Sequence, residues 1–214
     1  MVRGSLLQSL EHKKEILIRE ITKEVPGFEI LSKRNHPLWK FLSKVMFWNP
    51  RIATGFITTL YPKVWVPSLP WKEDDPASAI EILAHEYVHL QDRKRLGYFF
   101  NLLYLSPQIL SLFALLSFVN PWCLLFLVCL LPLPSPGRAW LEYRGYRMSM
   151  AITYWIHDEC LDLDWVVSQF TGPNYYWMYP FRGHLKRQYE REFERIKQNT
   201  LTSDLKHVKS ILEL

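Results

Sequence analysis

The sequence predicts a mainly helical protein with a small β element, an α+β arrangement forming one domain over residues 1–214. Three observations lead there. Apolar residues recur at helical spacing along most of the chain. One stretch, roughly 53–66, is instead β-branched and aromatic, with prolines at 62 and 67, and Pro is tolerated at sheet edges and ends. Finally, Tyr98–Leu133 contains no charged residue and is interrupted by Pro107 and Asn120-Pro121.

Taken in order, Leu6–Glu24 is amphipathic, with Leu6, Leu7, Leu10, Ile16, Leu17 and Ile21 on its apolar side, and Pro26-Gly27 ends it. Pro37–Trp48 reads as a short helix bounded by Asn49-Pro50. The strands over 53–66 follow, as a ribbon covering the next helix or as an edge that pairs with an extended peptide. Asp75-Pro76 is an N-cap followed by Pro at the first helical position, opening a helix over 76–96 that Gly97 stops. The apolar run predicts an inserted helical hairpin over 98–134. A helix over 138–157 comes next, with apolar Trp140, Leu141, Met148, Ile152 and Trp155. A short helix over 160–170, a loop at 171–174, a polar helix over 181–198 and a capped helix over 204–212 complete the chain. The aromatic loop 174–181 reads as a groove wall, an interfacial belt or a core cover.

The 76–96 helix carries His85-Glu86-Tyr87-Val88-His89, an HExxH pattern. Positions i and i+4 share a helix face, so both imidazoles can reach one zinc ion, and Glu86 stands beside it as a base for water. Two incidental surface histidines are the plainer alternative. A catalytic zinc needs a third protein ligand. Glu142, on the 138–157 helix, is the best placed. His157-Asp158-Glu159 is a weaker rival, about four turns further along the same helix.

Glu142 is followed by a small residue at +3, Gly145, and an arginine at +5, Arg147. This box resembles the Glu-x-x-Ala-Asp-Arg segment of gluzincin metallopeptidases, above all the membrane-embedded group related to the heat-shock protease HtpX and the CAAX prenyl protease. Uncharacterised HExxH proteins of bacteria and phages are similar over about residues 50–180. The resemblance implies a zincin-like core and a zinc metalloendopeptidase. His85, His89 and Glu142 would be the metal ligands, Glu86 the general base and a peptide or protein the substrate. Tyr146 stands where those families carry an Asp that orients a metal-binding His. Tyr154 and His184 are candidates for stabilising the transition state. The competing class is a non-catalytic, membrane-associated structural protein whose zinc site pins helices.

If His89 and Glu142 share one metal, the chain leaves and re-enters on the same side of any bilayer, so 98–134 makes no crossing or two. Arg93-Lys94-Arg95 before it and Arg138, Arg144 and Arg147 after it place both ends on the cytoplasmic side. The expectation is membrane association through 98–134, with packing inside a soluble cytoplasmic protein as the alternative. Glu11, Lys13, Lys14 and Glu15 interrupt any signal-peptide core. A net charge of +5, mixed with acidic residues and without a nucleic-acid motif, suits an anionic membrane surface better than DNA or RNA. Cys123, Cys129 and Cys160 form no CxxC pair and read as buried, reduced thiols. With 9 Trp, 11 Tyr and 12 Phe among 214 residues, the chain has ample material for a core and is not disordered.

Overall fold

A computed structural model describes residues 2–45, 55–69 and 71–213. Trp48, Asn49, Pro50 and the expected start of the strands at 53 lie outside these residues, as does the Leu6 side chain. The protein is mainly helical with one small mixed sheet, as the periodicity predicted. Its contacts define two compact units. One comprises residues up to Gln91 together with Lys206–Leu214, and the other Asp92–Leu205.

The first unit begins with helix α1 (Val2–Glu24) and contains strand β1 (Glu29–Ser32), helix α2 (Pro37–Val45), strands β2 (Thr58–Leu60) and β3 (Lys63–Val66), and most of helix α3 (Pro76–Leu96). The sheet order is β1-β3-β2. β2 and β3 form an antiparallel hairpin with Thr59 opposite Val64, and β1 adds in parallel with Ile30 opposite Val64. β3 is therefore the central strand, and Val64, Trp65 and Val66 are buried. β2 is an edge. Leu17, Ile21, Ile80, Leu83, Ala84 and Leu90 on the helices, and Val25 just after α1, are fully buried. Polar ties join α1, α3 and the end of the chain. Gln91 donates to Glu24, His207 pairs with Glu24 at 2.9 Å, Tyr87 Oη meets His207 Nε2 at 3.1 Å, and Lys13 donates to the Leu212 carbonyl.

α3 starts as expected. Asp75 caps it by accepting from the Ser78 amide at 3.1 Å, and Gly97 ends it at φ +56°, a left-handed conformation that favours glycine.

The second unit holds helix α4 (Tyr98–Leu105), two 3₁₀ helices (Gln108–Phe118 and Pro121–Leu130), and helices α5 (Pro136–His157), α6 (Leu163–Thr171) and α7 (Arg182–Lys197). The start of α8 (Ser203–Leu212) belongs to it as well. The apolar run thus has three pieces where the sequence suggested two. It breaks at Asn120-Pro121 and also at Ser106-Pro107, where proline denies the preceding residue a helical conformation. The two 3₁₀ helices pack on each other as a hairpin, with Phe113 and Phe126 rings 5.2 Å apart. Of the cysteines, Cys129 is buried and Cys123 half-buried. Cys160 is exposed, contrary to expectation, because it lies in the open turn after α5.

α4 and α5 approach backbone to backbone at Gly137. A Cβ there would lie 2.7 Å from the Leu103 carbonyl oxygen and 3.1 Å from its Cα. The obstacle is backbone, so it cannot swing aside. Gly137→Ala gains up to about 1 kcal/mol of helix propensity, but overpacking costs about 1–3 kcal/mol. We expect a net loss of stability, visible as a lower denaturant midpoint.

Candidate metal centre

α3 presents His85, Glu86 and His89 in its buried middle, where the three side chains are 8, 9 and 5% exposed. The i,i+4 spacing brings the histidine Nε2 atoms to 3.1 Å from each other. Nitrogens this close share either a proton or a cation. Two nitrogens at about 2.0–2.1 Å from one tetrahedral zinc would stand roughly 3.3 Å apart, so the spacing fits.

Glu86 points to the sheet. Thr59 of the edge strand β2 donates its hydroxyl to Glu86 Oε2 at 2.5 Å. The neighbouring Thr58 accepts at Oγ1 from Lys33 Nζ at 2.6 Å, and Lys33 also donates to the Phe56 carbonyl at 2.8 Å. Lys33 is 1% exposed and lies 4.3 Å above the Trp39 ring, a cation–π contact. Burial pushes its ammonium down to about 8, against the opposing pull of the Glu86 charge.

That fall has a measurable sign. Between about pH 8 and the ordinary lysine value of 10.5, the folded chain holds fewer protons at this site than the unfolded chain. Stability therefore gains from Lys33 as pH rises through that window. We expect Lys33→Met to remove this rise, read as the difference between wild-type and variant denaturant midpoints over a pH series.

On α5, Glu142 is 1% exposed and its Oε1 accepts from the Tyr104 hydroxyl of α4 at 2.7 Å. Tyr175 lies close enough that burial first, and the Glu142 carboxylate second, push its phenol well above the usual range. Two residues after Glu142, Arg144 Nε donates to Asp92 Oδ2 at 2.9 Å, and Asp92 is 2% exposed on the last part of α3. Arg147 reaches Asp204 at 2.6 Å and Arg144 reaches it at 3.5 Å. Burial raises the Asp204 carboxyl, but the Thr202 hydroxyl and the two guanidiniums outweigh it and hold the group below its usual range.

The ligand atoms of His85, His89 and Glu142 lie within 4.8 Å of one another, and all three residues are buried. Two imidazole nitrogens and a carboxylate oxygen form a group that could hold a metal ion. The expected trio is thus brought together. The rival His157-Asp158-Glu159 is exposed at the far end of α5. Tyr154 packs against Phe193, with ring centres 5.5 Å apart, and its twelve-residue offset along α5 puts it about 18 Å from Glu142 along the helix axis. His184 is exposed on the first turn of α7, beside Tyr179. Tyr146 is buried among Trp165, Phe170 and Tyr175, so the position that carries Asp in gluzincins is part of an aromatic core here.

Sequence reasoning missed Lys33, Thr59, Tyr104 and the Asp92–Arg144 pair. Asp92 carried the one available signal, an acid three residues beyond His89 on a helix otherwise basic in its last turn.

No family model matches the chain, and no curated protein or solved structure is significantly similar to it.

Proposed function

We propose that the chain is a zinc-dependent peptide hydrolase. The observation that carries the reading is the buried His85, His89 and Glu142 group with Glu86 on the same helix turn. His85 and His89 would hold the ion through Nε2, and Glu142 through a carboxylate oxygen, a donor set suited to zinc with one position left for substrate or water. The ion supplies Lewis acidity when bound, polarising a carbonyl and making water easier to deprotonate. Glu86 is the base. Thr59 occupies Oε2, which leaves Oε1 to accept the proton from water and later return it to the departing amine. Tyr104 orients Glu142 by holding Oε1, as outer partners of metal ligands do.

A second reading is a non-catalytic zinc site that pins helices. The burial of all three candidate ligands favours it, since structural sites are closed and catalytic ones open.

Metal content tests what the two readings share. Protein purified without added zinc is expected to contain about one zinc per chain, and Glu142→Ala to bind it at least about 100-fold more weakly. Wild-type protein that takes up no metal when zinc is offered would overturn both.

A further inference from the structure

We propose that the segment Tyr98–Leu131 is a lipid anchor that embeds in one leaflet of an anionic bilayer and does not cross it.

Phe100, Ala114 and Cys129 are buried and Tyr104 reaches Glu142, but most of the other apolar side chains are left outside the protein's own core. Leu112, Leu115, Phe118, Trp122 and Leu125 are 61, 72, 83, 74 and 64% exposed. Soluble proteins rarely leave so large a contiguous apolar surface bare. The distribution of exposure identifies the occupant. Five consecutive residues, Leu124 to Val128, are all exposed. At three residues per turn, five in a row cover every side of a 3₁₀ helix. A flat protein partner, or a second copy of this chain, covers one face; hydrocarbon covers every side that the other arm leaves bare.

The backbone suits such a solvent. In hydrocarbon, polar groups need internal partners. Ser111 donates back to the Gln108 carbonyl at 2.7 Å, and Asn120 Oδ1 accepts the Trp122 amide at 3.1 Å.

Length and the bend between the pieces argue against crossing. Arms of 11 and 10 residues rise by about 22 and 20 Å as 3₁₀ helices, against a hydrocarbon core of about 30 Å. Among the described residues no single helix is long and apolar enough to cross. α4 and the first arm qualify only together, and they meet at a bend of 89°. The two ends of the segment are tied together at its root. Arg138 donates to the Tyr104 carbonyl at 2.7 Å and to Gln108 Oε1 at 3.0 Å, Ser135 donates to the Ser106 carbonyl, and Tyr176 donates to the Leu130 carbonyl. The hairpin therefore returns to the side it left.

Charge selects the lipid. No acidic residue lies between Asp92 and Glu142, whereas Arg93, Lys94 and Arg95 immediately precede the apolar run. These cations complement anionic headgroups.

The test is flotation of the full chain with vesicles, which reads lipid partition with or without metal and so stands apart from the hydrolysis reading. We expect the chain to float with phosphatidylcholine–phosphatidylglycerol vesicles, and about ten-fold less with phosphatidylcholine alone. Leu115→Glu with Leu125→Glu, both at exposed positions, is expected to lower partition at least about 100-fold while circular dichroism and thermal melting stay unchanged. In Val119→Cys, at the 73% exposed tip, an impermeant thiol reagent trapped inside the vesicles is expected to leave position 119 unmodified. Modification from inside would show a crossing and overturn the proposal. Flotation indifferent to the two glutamates would overturn it too. So would a wild-type chain that stays at the bottom of the gradient as a discrete oligomer, since a second copy would then cover the surface.

Discussion

Replacing Glu86 by Gln is expected to leave zinc content unchanged and to lower peptide hydrolysis by about 10²–10⁴-fold, the usual effect of losing a positioned base. The substitution keeps size and shape, so the Thr59 hydroxyl still has an oxygen to approach. What is lost is the capacity of the second carboxylate oxygen to take a proton. His85 and His89 flank the position on α3 and are not altered, so metal uptake serves as the control for folding. The measurement compares cleavage of an unstructured protein substrate by metal-loaded wild type and variant at matched zinc content. Equal cleavage by both would sink the hydrolase reading. A wild type that holds zinc and cleaves nothing, with a melting temperature that falls when the metal is chelated, would move the protein to the structural class.

The second large effect is expected at Arg144. Its guanidinium meets Asp92, whose side chain is 3% exposed, while the Arg144 side chain is itself only 20% exposed. Arg144→Met takes the guanidinium away and leaves a buried carboxylate on α3 deprived of it, a change that costs about 3–5 kcal/mol. Asp92→Leu combined with Arg144→Met removes both charges and should recover most of that loss, because a buried pair contributes little net stability. Zinc affinity adds a readout that stability alone does not give. Asp92 follows His89 by three residues and Arg144 follows Glu142 by two, so the pair is expected to affect the turns that carry these two side chains. The double variant is expected to regain stability but to bind zinc about 10–100-fold more weakly than wild type. Wild-type affinity in the stable double variant would show that the pair does not position the ligands.

How much of this was legible in the sequence depended on whether the signal was local. The boundaries of α3 were readable because Asp75-Pro76 and Gly97 act on their own turns, and Pro76–Leu96 is the helix expected. His85 and His89 were readable because four residues make one helix turn, and Glu142 because a long helix with few breakers carried a lone acid. β1 was invisible. Glu29–Ser32 is four residues long and owes its conformation to β3, a partner more than thirty residues away. Lys33 looked like any surface lysine, since nothing nearby in sequence announces Trp39, Thr58 and Phe56 as its enclosure. Tyr104 lay in the apolar run, where its ring suited the pattern and its hydroxyl, which reaches Glu142, gave no signal of its own. Tyr146 is surrounded by aromatic rings, which accept a phenol and would not accept a carboxylate, and no neighbour in sequence announced that enclosure.

The ties among α1, α3 and α8 have a consequence for the order of assembly during synthesis. Lys13 reaches Leu212 across 199 positions, and His207 reaches Glu24 across 183. The unit that contains the HExxH turn is therefore discontinuous in the chain, whereas Asp92–Leu205 is one unbroken stretch. As the polypeptide emerges, the apolar hairpin and α5 are complete while α3 still waits for α8 to meet Tyr87. Closing so long a loop is slow. The histidine turn is thus expected to be consolidated only after the stretch Asp92–Leu205 has been synthesised.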